Sequence, residues 1–267
     1  MGQQSAKVTN CGHRTGDFFI KDNQLRPGQR CNMSVSLEVV PHVIEKQRIF
    51  ASAARAPNRK QQGSTPDLES CMTEFYDTNA SAFISTTRDV DMSDMQRRFL
   101  AALPIVEGKP ARILDAGSGS GRDALAFRLL GYEVEAFDAS PAMVAATREH
   151  AGVQARQMRF EDFAWDHQFE GIWACASLLH VAAADLPAVI KRLAAHLTQG
   201  GALYLSFKLG TGERVKNGRE FTDMTEDSLA TLLDECGALS QPDIWQSRDC
   251  RPDRASEMWV NAVVTKR

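Results

Sequence analysis

The stretch Arg112-Ile-Leu-Asp-Ala-Gly-Ser-Gly-Ser-Gly-Arg-Asp-Ala124 decides how the chain is read. A short apolar run breaks into three alternating glycines and resumes with helical spacing, the pattern of a strand, a tight turn and a helix. Gly117, Gly119 and Gly121 permit positive φ and let a ligand approach the backbone with no Cβ in the way, at the N-terminal end of the helix that follows. Ala124 to Leu130 continues that helix, Gly131 fits its C-cap, and Tyr132 to Asp138 alternates as a second strand ending in an acid. The unit is β-α-β, and it implies a nucleotide-like ligand. Asp138 stands twenty-one residues after Gly117, where a carboxylate at the end of the second strand accepts hydrogen bonds from both hydroxyls of a ribose. The glycines fit G-x-G-x-G and fail G-x-G-x-x-G because position 122 is Arg, so a dinucleotide is the weaker reading. Glycines serving packing alone are the alternative.

Three segments carry a resemblance. Asp115-Ala-Gly-Ser-Gly-Ser-Gly121, Ala136-Phe-Asp-Ala-Ser140 and Phe169-Glu-Gly-Ile-Trp-Ala-Cys-Ala-Ser-Leu-Leu-His180 resemble the first, second and fourth motifs of class I S-adenosylmethionine (SAM)-dependent methyltransferases, with a likeness over residues 72 to 267. Gly121-Arg-Asp-Ala124 and the loop before it resemble the small bacterial tellurite-resistance-type enzymes and their uncharacterised relatives. The resemblance implies an α/β fold, a Rossmann-like seven-stranded, mostly parallel sheet with helices on both faces and the last strand antiparallel. It also implies SAM as cofactor, lined by Asp115, Gly117, Ser118, Gly119, Gly121, Asp138 and Ala139.

The 267 residues, 43% hydrophobic and 24% charged, allow one substantial core with chain left over. The net charge of −3 conceals an asymmetry, because residues 1–66 hold ten Lys/Arg against four Asp/Glu. Scattered Pro and Gly and one weakly periodic segment, Ser34 to Ala54, point to a basic, poorly ordered N-terminal extension. Residues 72–267 form the expected methyltransferase domain, divided into a helical lid at 72–104 and a Rossmann-like core at 111–267. Met72 follows the loop-like Gln61-Gln-Gly-Ser-Thr-Pro66, which makes it a candidate for the true start and leaves an earlier start as the alternative. Cys11, His13 and Cys31 match no common zinc spacing, so no metal is expected. Six cysteines without C-x-x-C spacing fit a reducing cytosol, and no apolar run is long enough to span a bilayer, so a cytoplasmic protein with no membrane association is expected.

Along the chain, Phe75 to Ala82 and Met92 to Leu103 read as helices joined by Thr86 to Asp91 and stopped by Pro104. In the resembled family such helices fold over the cofactor, which makes Tyr76 and Arg88 candidates to touch its methionyl end or the substrate; packing for Tyr76 and a solvated Arg88 are the alternatives. Ser140 as N-cap and Pro141 as first helical residue start the next helix. Val153 to Phe160 reads as a third strand ending in Glu161-Asp-Phe163. There the resemblance implies a carboxylate on the adenine amino group, Asp162 ahead of Glu161, and Phe163 against the ring. An acidic turn beside a core Phe163 is the other reading.

Phe169 to Ala176 is nearly continuously apolar, the pattern of a central strand covered on both faces. Its carboxyl end, around Ala176, borders the expected ligand. His180 lies just beyond, either a general base or a hydrogen-bonded structural residue. Leu186 to Leu197 reads as a helix ended by Gly200-Gly201, and Ala202 to Phe207 as the fifth strand. Lys208-Leu-Gly-Thr-Gly-Glu213 then reads as a flexible loop, with Lys208 and Glu213 as substrate-binding candidates or simply as parts of a mobile loop. A helix from Thr225 to Cys236 and strands at Pro242 to Ser247 and Glu257 to Thr265 complete the set.

The chemistry implied is transfer of a sulfonium methyl by in-line displacement, in which the enzyme aligns a nucleophile and excludes water. The negative body without a basic, aromatic-rich face makes a small-molecule acceptor the expectation and nucleic acid unlikely as a partner. An RNA or protein methyltransferase, a catalytically silent SAM-binding module and, less well supported, an NAD-dependent oxidoreductase stand as alternatives. Oligomeric state is not legible.

Overall fold

A computed structural model describes residues 75–267. The expectations for residues 1–66, for Met72 as the start and for the Cys11, His13 and Cys31 triplet lie outside the described residues. A seven-stranded sheet runs β3-β2-β1-β4-β5-β9-β8. It comprises β1 (Arg112–Ala116), β2 (Glu133–Asp138), β3 (Gln154–Gln157), β4 (Phe169–Ala174), β5 (Leu197–Lys208), β8 (Asp243–Arg248) and β9 (Met258–Thr265). All pairings are parallel except those of β9, which runs antiparallel to both β5 and β8.

Every residue of β4 is buried, as a central strand with helices on both faces requires. Gly171 shows how closely one of those faces is covered. A Cβ there would lie 2.6 Å from the Phe99 ring of α2 (Ser93–Ala101), so glycine lets the helix seat directly on the sheet. Phe99, Phe127, Trp173 and Tyr204 fill that side, with Trp173 and Tyr204 stacked at 3.9 Å. The opposite face packs Phe137, Phe163, Phe169 and Phe207 with the apolar side of α5 (Leu186–Ala195).

The glycine turn leads into α3 (Arg122–Leu129), and α4 (Pro141–Ala151) follows β2. The Ser140 hydroxyl accepts the Met143 N–H at 3.2 Å and Pro141 opens the helix, so both start signals act together. α6 (Glu226–Asp234) starts with a reciprocal cap between Thr225 and Ser228.

Several boundaries differ from expectation for identifiable reasons. The leading helix is interrupted at Asn79, and α1 (Ala80–Thr87) runs on through Ser85-Thr-Thr87, whose hydroxyls donate to carbonyls one turn back. Gly200-Gly201 does not end α5. The helix stops at His196, and the two glycines lie in β5 beside a register shift against β4. β3 ends at Gln157, three residues before Phe160. The segment expected as a flexible loop after Lys208 is instead built into a hairpin of β6 (Gly212–Lys216) and β7 (Arg219–Asp223). Asn217 and Gly218 turn it with φ of +54° and +73°, the positive-φ pair that a two-residue hairpin turn demands.

Candidate functional site

Two connected chambers lie at the carboxyl ends of the parallel strands, the larger about 440 Å³ and the smaller about 130 Å³. Tyr76, Phe83, Gly117, Gly119, Ala176 and His180 line both. The glycine turn forms the floor. Gly117, Gly119 and Gly121 all have positive φ, between +53° and +78°. Their tasks differ: a Cβ at Gly117 would meet Ser177 Cβ at 2.4 Å and one at Gly121 would meet Thr147 Cα at 2.8 Å, whereas Gly119 faces the Phe83 ring at 3.3 Å. Packing and ligand access are therefore shared among the three glycines.

Asp138 ends β2 at the smaller chamber. Its Oδ2 accepts the Gly119 N–H and its Oδ1 the Ser140 N–H, each at 2.9 Å. These bonds aim the carboxyl group and tie the glycine turn to the second strand. Burial pushes its pKa up to about 6, against the opposing pull of the backbone N–H groups. Asp115 is buried beneath the turn, accepts the Ala124 N–H at 3.1 Å, and is held well above the usual carboxylate range by burial and by Asp123. Asp123 accepts from Arg122, Trp173 and Gln96; burial raises its pKa, but Arg122 outweighs burial and holds it low. Ser118 turns its hydroxyl to Thr147 at 2.8 Å.

The two chambers meet at Tyr76 and His180. Tyr76 Oη lies 2.9 Å from His180 Nε2, and His180 Nδ1 lies 2.7 Å from the Glu220 carbonyl oxygen of β7. A carbonyl only accepts, so Nδ1 carries the proton and Nε2 accepts the Tyr76 hydroxyl proton. Burial pushes the His180 pKa down to about 4, leaving a neutral ring at pH 7. Burial likewise raises the Tyr76 pKa, against Arg219, whose Nη1 lies 3.5 Å from Tyr76 Oη.

The remaining candidates divide. Ala139 lines the smaller chamber and Ala176 both, the latter at a φ of +53° with its N–H donated to Ser206 Oγ at 2.9 Å. Lys208 lines the larger chamber, but its ammonium is bound by Asp249 at 3.1 Å and by Glu257. It also sits 3.9 Å over the Trp259 ring, so it anchors the loop after β8 and has no free charge to offer a substrate. Glu213 is exposed, lines neither chamber, and accepts the Ala183 N–H at 2.9 Å, fastening the hairpin to the loop after His180. Arg88 is exposed and lies outside both chambers because α1 presents Phe83 and Thr87 inward. Asp162 is exposed, and Phe163 is buried between Phe137 and Trp165 at ring separations of 5.3 and 5.9 Å. Since β3 ends early, Phe160 and Glu161 take the places at the smaller chamber.

Sequence reasoning missed Arg219 and the hairpin that carries it, although Asn217-Gly218 is the dipeptide that a two-residue hairpin turn favours. Among the described residues no group of three His, Cys, Asp or Glu could hold a metal ion, and no helix is long and apolar enough to cross a membrane.

Residues 113–201 match the family described as "Methyltransferase domain". A ubiquinone biosynthesis O-methyltransferase from Xanthomonas campestris pv. campestris is 29% identical over 159 residues, 53% of this chain and 65% of that protein. Hemagglutinin 1 of Eikenella corrodens is 34% identical over 97 residues, 34% of this chain and 32% of that protein. The chain thus spans less than two thirds of these curated relatives. The Burkholderia thailandensis 1,6-didemethyltoxoflavin-N1-methyltransferase, solved with 1,6-didemethyltoxoflavin and S-adenosylhomocysteine, shares the fold with a TM-score of 0.61 at 22% identity, over 79% of this chain and 94% of that one.

Proposed function

We propose that the chain, a member of the class I SAM-dependent methyltransferase superfamily, transfers the sulfonium methyl of SAM to a nucleophilic atom of a small-molecule acceptor. The observation that carries this reading is the pair of chambers that meet at Tyr76 and His180, the smaller bounded by the Asp138 carboxyl group and the larger floored by the glycine turn. SAM fits this cradle: Gly119 leaves open the space that a Cβ would fill, and the Asp138 carboxyl group, aimed by the Gly119 and Ser140 N–H groups, borders the smaller chamber. Asp138 would hold the ribose, Phe160 and Glu161 would flank the adenine, and Asp115 and Gly117 to Gly119 would line the methionine portion.

When bound, SAM supplies a methyl group already activated for in-line displacement. The chain's own residues align the acceptor and close the site. Phe83 and Tyr76 cover the glycine turn from above and limit water. Tyr76 Oη, which donates its hydrogen bond to His180 Nε2, presents a lone pair to an acceptor O–H or N–H. A proton leaving the acceptor would pass to Tyr76 Oη as Tyr76 passes its own to His180, whose Nδ1 stays fixed by the Glu220 carbonyl. His180 is a base through Tyr76 in this scheme. Lys208 and Glu213 serve the scaffold.

The small-molecule acceptor is supported by the size of the chambers, about 440 and 130 Å³, and by relatives named for small-molecule substrates. A cytoplasmic setting is supported by the free thiols of Cys175, Cys236 and Cys250 among the described residues. We assign residues 72–104 to the lid and 111–267 to the core. The test is calorimetry with SAM, S-adenosylhomocysteine and NAD, followed by a labelled-methyl screen of metabolite pools. Micromolar SAM binding and label on a small molecule are expected. Tighter binding of NAD would overturn the cofactor, and SAM binding with no turnover on any pool would leave a binding module.

A further inference from the structure

We propose that the acceptor is an anion, and that Arg219 holds its carboxylate or phosphate beside the Tyr76 and His180 pair. This rests on the methyl-transfer reading of the same site. Eight Lys or Arg and five Asp or Glu line the larger chamber. The wall is thus positive, although residues 67–267 carry twenty-one basic against thirty acidic side chains.

Local pairing neutralises most of these cations. Arg122 pairs with Asp123 and Arg251 with Asp249, both at 2.6 Å, while Arg214 is bound to Asp223. Arg219 is different. Like the exposed Lys216 and Arg248 it has no carboxylate partner among the described residues, but it is half-buried, and its Nε is buried without a hydrogen-bond partner. Its guanidinium sits 4.4 Å from the Phe75 ring, 5.2 Å from Phe221 and 5.8 Å from Tyr76. Aromatic stacking of this kind fixes the plane of the fork and leaves its N–H edge to a planar or tetrahedral oxyanion.

A half-buried guanidinium without a counter-charge is costly, and an anionic ligand removes that cost. Nη1 lies within 3.5 Å of Tyr76 Oη, so an oxyanion bound by Arg219 brings the rest of the acceptor to the junction of the chambers. Arg219 comes from β7 of the hairpin, an addition outside the seven-stranded sheet, and loops and appendages of this kind are where substrate selection resides. The rival ligand is the carboxylate of the cofactor itself.

The test is calorimetry on the full chain, first with S-adenosylhomocysteine, then in its excess with benzoate, phenyl phosphate and benzyl alcohol. Wild type should bind one of the two anions at least about tenfold more tightly than the neutral alcohol, as a charge-assisted pair implies, and the tighter one identifies the oxyanion. Arg219→Gln should lose that preference and Arg219→Lys should keep part of it, both with S-adenosylhomocysteine affinity within about threefold of wild type. If the glutamine variant does not fold, Arg219→Met carries the comparison on the same terms, with loss of the preference expected and its persistence overturning the proposal. Absence of anion preference in wild type, or its persistence in Arg219→Gln, overturns the proposal. A tenfold loss of S-adenosylhomocysteine affinity also overturns it, by giving Arg219 to the cofactor. If wild type binds no S-adenosylhomocysteine, the methyl-transfer reading fails, and the anion titration repeated without it still decides Arg219.

Discussion

Tyr76 Oη and His180 Nε2 lie 2.9 Å apart although 104 residues separate them in the chain. The bond joins the leading helical segment to the 3-10 turn Leu178–His180 that follows β4, where the two chambers adjoin. Because Nδ1 is committed to the Glu220 carbonyl, removing the tyrosine hydroxyl leaves Nε2 facing a half-buried pocket with no donor. Tyr76→Phe should therefore lower stability by about 1–2 kcal/mol, the usual cost of an unsatisfied buried acceptor. It should leave S-adenosylhomocysteine affinity nearly unchanged while slowing turnover on an acceptor that must lose a proton. Melting curves and calorimetry on the variant decide the first two points. Unaltered turnover would remove Tyr76 from the proton path.

The two displaced pKa values make a second, pH-dependent expectation. Asp138 titrates near 6 in the fold against 3.8 ordinarily, so the folded state holds its proton more tightly and protonation favours folding as pH falls from 6 towards 4. His180 titrates near 4 against 6.5 ordinarily, so the unfolded chain takes up its proton first and stability is lost as pH falls from 6.5 towards 4. The contributions oppose each other across one window. Melting temperature measured from pH 7 to 4.5 should fall more steeply in Asp138→Asn than in wild type, and less steeply in His180→Gln. Ligand binding has a simpler sign: the ionised carboxylate is the better ribose acceptor, so S-adenosylhomocysteine affinity should weaken below about pH 6 and become nearly independent of pH in Asp138→Asn. Asp138→Ala should cost about 1.5–3 kcal/mol of binding, and unchanged affinity would remove the ribose role.

A chain beginning at Met72 should melt within about 3 °C of the full chain, a shift of roughly 1 kcal/mol at this size. Among the described residues the three core clusters are built from buried residues between 99 and 264, and the basic stretch 1–66 lacks enough patterned apolar residues to offset its ordering entropy. Loss of S-adenosylhomocysteine binding in the shortened chain would show that residues before 72 complete the site.

Legibility tracked how local each determinant is. β4 could be read because a strand covered on both faces leaves an unbroken apolar run, and the β1-turn-α3-β2 unit because its glycines, cap and acid fall in fixed register. Arg88 and Arg219 show the opposite case. Both are arginines in polar stretches, and only the packing of Phe75, Tyr76 and Phe221 decides which guanidinium faces the chamber. On the side expected to take the adenine a boundary made the difference: with β3 ending at Gln157, Phe160 and Glu161 reach the smaller chamber while Phe163 sinks into the aromatic core. Lys208 looked available because the Asp249 and Glu257 that bind it lie more than forty residues away.

The glycine turn separates folding from binding at single-residue resolution. Gly121 has a φ of +75°, and its missing Cβ would press on Thr147 Cα at 2.8 Å, a backbone atom of α4 that cannot swing aside. Gly121→Ala should thus lose about 2–3 kcal/mol of stability, combining left-handed strain with a displaced helix. Gly119 has a φ of +53°, close to the left-handed minimum, and its Cβ would meet only the edge of the Phe83 side chain at 3.3 Å. Gly119→Ala should cost about 1 kcal/mol in stability, yet it places a methyl group in the chambers' shared floor, so the larger effect should fall on S-adenosylhomocysteine affinity. Melting curves and calorimetry on the same two proteins make the comparison direct: if Gly119→Ala binds as tightly as wild type, the floor of the site is not at Gly119, and the three glycines serve the packing of β1 against α4 alone.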